Sequence, residues 1–249
     1  MSPPDPKYPG RPTGPISPAE LACASWANES MTSYVRAFDE FREGIEDCLD
    51  LTDDQHFDAL LRWLNRWGAR IPGAHFSEAR KRLPDWYGSD QGSLPDDGVS
   101  LVEASDADLA PCADLYDDLI SIMDGHAERK SWVKIGPTAV SKILFALRPH
   151  LFPAWDSAMR ETHLRGGQAY DGSGASYARF VREVQGELQE TAKLCPQLQI
   201  QLDDLPVRLG RSPYTTPAQL MIEYYFVVIT KKARPCHLTL RPKLRTASK

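Results

Sequence analysis

The chain has 249 residues, 42% of them hydrophobic, enough to bury one large helical core or two small lobes and too many for wholesale disorder. Its net charge of -5 speaks against a uniformly basic nucleic-acid binder, but seven Lys or Arg and no acid follow residue 230, which leaves -12 on residues 1–230. No stretch approaches the ~20 apolar residues of a membrane helix, the Pro-rich start lacks the apolar core of a signal peptide, and the five cysteines are scattered without zinc or iron–sulfur spacing; a cytoplasmic protein with no metal, cofactor or membrane partner is expected.

Residues 1–16 are Pro-rich and without apolar periodicity, and are expected to be a disordered leader. A helical body over 17–230 then begins at Ser17-Pro18-Ala19-Glu20, where an N-cap serine, a proline at the first helical position and a returning glutamate coincide. Tyr34, Val35, Phe38, Phe41, Ile45, Cys48 and Leu49 fall on one helical face. Thr52 to Gln55 reads as a capping box for a helix with the stripe Phe57, Leu60, Leu61, Leu64 and Trp67, stopped by Gly68. Trp63 and Trp67 are expected in the core. Ser77 caps a short turn carrying Arg80, Lys81 and Arg82, and 84–100 reads as the longest loop.

Ser105 to Asp108 opens a helix with the stripe Leu109, Cys112, Leu115, Leu119, Ile122 and Met123, ending near Gly125. Further helices are predicted over 137–147, 157–165, 175–194 and 217–230. The best alternating run is only Leu198–Leu202, so the fold class is all-α. Residues 231–249 form a basic tail, either a phosphate-contacting arm or a solvated end.

Chemistry concentrates in Lys130 to Leu164. A helix is followed by Val133-Lys134-Ile135-Gly136 and then by a helix starting Pro137-Thr138-Ala139, which makes a helix, a hairpin and a helix. In such a unit a glycine lets the backbone approach a phosphate, and free N–H groups at the second helix's start bind it. A Pro-punctuated apolar piece, Arg148 to Trp155, then delivers Asp156 to the next helix start, 19 residues after Pro137.

This order resembles that of the helix-hairpin-helix DNA glycosylase superfamily, in which the extended piece ends in the catalytic aspartate. The resemblance covers some 35 residues and implies a divergent bacterial or phage-defence member with two helical lobes around a DNA cleft. It implies that Asp156 is catalytic, that Lys134, Ile135, Gly136, Thr138 and Ala139 bind DNA, and that Trp132, Trp155, Trp86 and Tyr87 form the base pocket or wedge. Lys134 stands where the hairpin's first glycine is usual. Pro137 stands where strand-cleaving members carry a nucleophilic lysine, and Lys142, five residues further on, is expected to face away. The implied activity is therefore monofunctional: a modified or damaged base is flipped out and excised, leaving an abasic site, with a modified cytosine of phage DNA as one substrate and antiviral defence as the setting. DNA is the expected partner, with no obligate protein partner. The alternative is a non-catalytic helix-hairpin-helix DNA-binding or regulatory protein in which Asp156 is only a helix cap.

Overall fold

The computed structural model describes residues 14–45, 48–69, 73–90, 93–123, 136–161 and 170–233. Among these the chain is all-helical, without a strand. The helices are α1 (Pro18–Met31), α2 (Tyr34–Glu43), α3 (Asp54–Arg66), α4 (Gly73–Asp90), α5 (Asp106–Leu109), α6 (Cys112–Met123), α7 (Pro137–Leu147), α8 (Ser157–Glu161), α9 (Gly174–Ala192), α10 (Leu205–Arg208) and α11 (Pro217–Tyr225). A wide π turn, Phe226–Thr230, extends α11. No described helix is long and apolar enough to cross a membrane.

Two helices without a solvent face organise the core. In α7 every residue from Ala139 to Leu147 is buried, and in α11 every residue is, as expected for helices apolar nearly all round. Around them α1 packs on α11, α3 and α6 pack on α7, and α9 packs on both α6 and α11. The Ser17 capping box is formed, with Ser17 N–H donating to Glu20 at 2.8 Å. So is the box at Ser105 and Asp108. Gly68 ends the α3 region with φ +77, a conformation glycine adopts without steric cost.

Several boundaries differ from expectation. The helix starting at Tyr34 stops at Glu43, although Ile45 and Leu49 remain buried. Asp53, not Thr52, caps α3, because the Thr52 hydroxyl is committed backwards to Asp50 at 2.7 Å. The capping box at Ser105 opens only the four residues of α5, and α6 begins at Cys112 beyond Pro111. The Leu198–Leu202 run is not a strand: a 3-10 turn over Cys195–Leu198 ends in left-handed Gln199. The largest correction concerns 84–100, whose first part is not loop. Helix α4 runs through Pro84 to Asp90 and replaces the short turn expected near Ser77. An interior proline costs ~3 kcal/mol of helix propensity, and burial of Leu83, Trp86 and Tyr87 in the core offsets it.

The α9 start is docked on α6 through Gly174, whose N–H donates to Asp117 at 2.6 Å. A Cβ on Gly174 would lie 2.1 Å from the Ala113 carbonyl oxygen and 2.6 Å from an Asp117 carboxylate oxygen. Gly174→Ala is therefore expected to destabilise the fold by about 1–3 kcal/mol, seen as a lower urea midpoint with unchanged slope.

Candidate functional site

The segment ahead of Asp156 is fixed to α7 by its backbone and side chains. The Trp155 N–H donates to Ser141 Oγ at 3.2 Å, and its indole donates to the Pro137 carbonyl at 3.1 Å. Tyr116 donates to the same carbonyl at 3.1 Å, and Tyr177 donates to the Pro153 carbonyl at 3.0 Å. Leu151, Phe152, Ala154 and Trp155 are buried, so the extended piece is a packed strap that sets the place of the aspartate. Asp156 then opens α8. Its Oδ1 accepts from the Met159 N–H at 2.8 Å, and its Oδ2 accepts from the Thr230 hydroxyl at 2.7 Å. The π turn carries Thr230 to that position, and π turns of this kind recur at functional sites.

Asp156 lines a cavity of about 560 Å³. The N-terminus of α7 forms part of its wall, with Gly136, Thr138 and Ala139. Its N-cap residue, Gly136, supplies no side-chain cap, so among the described residues its first N–H groups and the helix dipole favour an anion. Gly136 has φ -83, and no atom of the described residues lies within 4 Å of where its Cβ would sit. Arg160, half-buried, and exposed Lys231 also line the cavity.

Lys142 lines this cavity together with Asp156, which corrects the expectation that it faces away. One helical turn and a half separates it from Pro137, but the cavity extends along α7 far enough to include both. Its ammonium donates to the Trp67 carbonyl and sits 5.0 Å from the Trp67 ring centroid. Burial lowers its pKa from 10.5 to about 8, against the opposing pull of the Asp156 charge. The sign of the linkage follows. Between pH 8 and 10.5 the unfolded chain keeps this proton while the native protein has lost it, so stability rises with pH across that window. Lys142→Met is expected to be about 1–3 kcal/mol more stable than wild type at pH 7. The gap should close as pH rises through 8 to 10.5, read from urea midpoints.

Other sequence expectations divide. Trp155 lines the cavity but is 1% exposed. Trp86 and Tyr87 do not line it; they sit on α4 in the core, with the Tyr87 hydroxyl donating to the Leu49 carbonyl at 3.1 Å. Trp132, Lys134 and Ile135 lie outside the described residues, as does the tail from residue 234. Trp63 is in the core as expected, but Trp67 lines the cavity. Sequence reasoning also missed Thr230, Gln219 and Glu223. The last two are buried polar residues one turn apart on α11, and both line the cavity. Among the described residues no cluster of His, Cys, Asp or Glu is arranged to hold a metal ion.

Fold and site together define an all-helical protein with a buried lysine and a helix-capping aspartate on one aromatic-walled cavity. Residues 93–213, which include α7, the strap and Asp156, match a family of unknown function (DUF6308). No curated protein and no solved structure matches the chain.

Proposed function

We propose that the protein is a monofunctional DNA glycosylase of the helix-hairpin-helix type, which flips out and excises a modified or damaged base and leaves an abasic site. The observation that carries this reading is the convergence on one cavity of Asp156 and the N-terminus of α7, whose N-cap Gly136 supplies no side-chain cap. In this reading the α7 terminus binds a backbone phosphate. The glycine at residue 136 leaves room for that approach, since no atom of the described residues lies within 4 Å of where its Cβ would sit. The cavity, walled by Tyr34, Phe38, Trp67, Phe145 and Phe226, receives the extruded base.

The C1′–N bond breaks with its electron pair leaving on the base, water adds its hydroxyl to C1′, and the remaining proton goes to the departing base. Asp156 stabilises the positive charge that develops on the sugar. Lys142 acts as a cation near Asp156, its ammonium held at Trp67, and not as an imine-forming nucleophile.

One observation favours a second reading, a non-catalytic DNA-binding protein. Both carboxylate oxygens of Asp156 already accept hydrogen bonds from the protein, as a purely structural cap would. The test is incubation with duplexes carrying uracil, alkylated, oxidised or phage-type modified cytosine bases, followed by alkali. Alkali-dependent breaks support the proposal. Breaks without alkali, with borohydride trapping of a protein–DNA adduct, would replace the monofunctional assignment by a lyase. DNA binding without any breaks would leave the second reading.

A further inference from the structure

The two oxygens of the Asp156 carboxylate are held by separate elements. A helix N-cap needs one of them, and Oδ1 serves it by accepting from the Met159 N–H at 2.8 Å. Oδ2 accepts from the Thr230 hydroxyl at 2.7 Å, from a residue 74 positions further on, a bond that the cap of α8 does not require. Together the two bonds fix the plane of the carboxylate at the wall of the cavity, which both residues line. The backbone departs from α-helical geometry to make the second bond. After Tyr225 the chain closes a wider turn, with the Lys231 N–H donating to the Phe226 carbonyl at 2.9 Å, and so holds one residue more than an α-helical turn would. On an α-helical course the place facing Asp156 would be reached one residue earlier, at Ile229, whose side chain has no donor.

We propose that Thr230 is a positioning residue for Asp156, placed by the π turn to hold the carboxylate in the orientation in which its charge faces the sugar of the flipped nucleotide. The inference rests on the reading that Asp156 stabilises the positive charge developing on that sugar. A carboxylate held at one oxygen alone keeps its place at the helix start but turns about its Cβ–Cγ bond. Electrostatic stabilisation depends on a charge that is aimed before the reaction begins, and the second bond supplies that aim. Thr230 acts on the rate only through the carboxylate.

The test uses full-length protein and whichever duplex of the lesion panel it cuts. Thr230→Val, which keeps the shape of threonine and removes the donor, is expected to lower the single-turnover rate of base release at least about tenfold, the worth of one hydrogen bond to a charged group. Duplex affinity should stay within about twofold of wild type, and Thr230→Ser should return the rate to within about threefold. On the Asp156→Asn background Thr230→Val should cost less than about twofold, because the carboxylate it positions is gone. The inference is overturned, with the glycosylase reading intact, by an unchanged rate in Thr230→Val, by a loss confined to duplex affinity, by a Thr230→Ser variant as slow as Thr230→Val, or by an equal loss on the Asp156→Asn background. No release by wild type from any duplex of the panel overturns both. Thr230→Ala, which also lacks the hydroxyl, carries the same expectations should Thr230→Val not fold.

Discussion

Asp156→Asn is expected to lower base release by on the order of 10²-fold or more while shifting the thermal midpoint by less than about 3 °C. The asymmetry comes from what asparagine keeps. Its Oδ1 still accepts from the Met159 N–H, and asparagine is as good an N-cap as aspartate. Its amide can donate to Thr230 Oγ1 where the carboxylate now accepts from it. The negative charge alone is lost, and in the proposed mechanism that charge meets the developing positive sugar. The same loss reaches Lys142. The Asp156 charge opposes the burial that lowers the lysine's pKa to about 8, so without it the pKa falls further. The window in which stability rises with pH should then open below pH 8. Base release at the wild-type rate in Asp156→Asn would remove the carboxylate from the mechanism and reduce Asp156 to a cap.

How far the sequence could be read follows from where its signals come from. Caps are local chemistry, so Ser17, Ser105 and the span Pro137–Leu147 were legible. The order of α7, apolar strap and aspartate was legible for the same reason, since proline and glycine punctuate it. The course of α4 was not. Pro84 argues locally against a helix, and only the packing of Leu83, Trp86 and Tyr87 overrules it. That error also assigned the two aromatics to a loop and hence to a base pocket. Lys142 was misjudged because its angular offset was reckoned from Pro137, when its own setting was the stronger signal. A single charge in PTAVSKILFAL, otherwise nearly all apolar, must either be paired inside or face a cavity. Gln219 and Glu223, four residues apart in the apolar run of α11, carry a similar signal. Arg211 had none, because Glu223, twelve residues on, falls at no helical spacing from it and Ser25 and Glu29 lie on α1.

Arg211→Met is expected to produce the largest loss of stability, about 3–5 kcal/mol, or roughly 10 °C in thermal midpoint. The Arg211 side chain is 2% exposed and joins α1 to α11: it bonds Ser25, lies 3.3 Å from Glu29, and makes the bidentate pair with Glu223. Burial lowers the guanidinium's pKa, but Glu223, Glu29 and Asp39 outweigh it and leave it raised, so the pair has no alkaline limit in the accessible range. Removing the cation strands the Glu223 carboxylate, 5% exposed at its side chain, beside Gln219. The double variant Arg211→Met, Glu223→Leu should recover much of the loss, because the cost of the single change is mostly that of an unpaired buried charge. A double variant no more stable than Arg211→Met would instead place the loss in the broken contacts of Arg211 with Ser25 and Glu29 on α1.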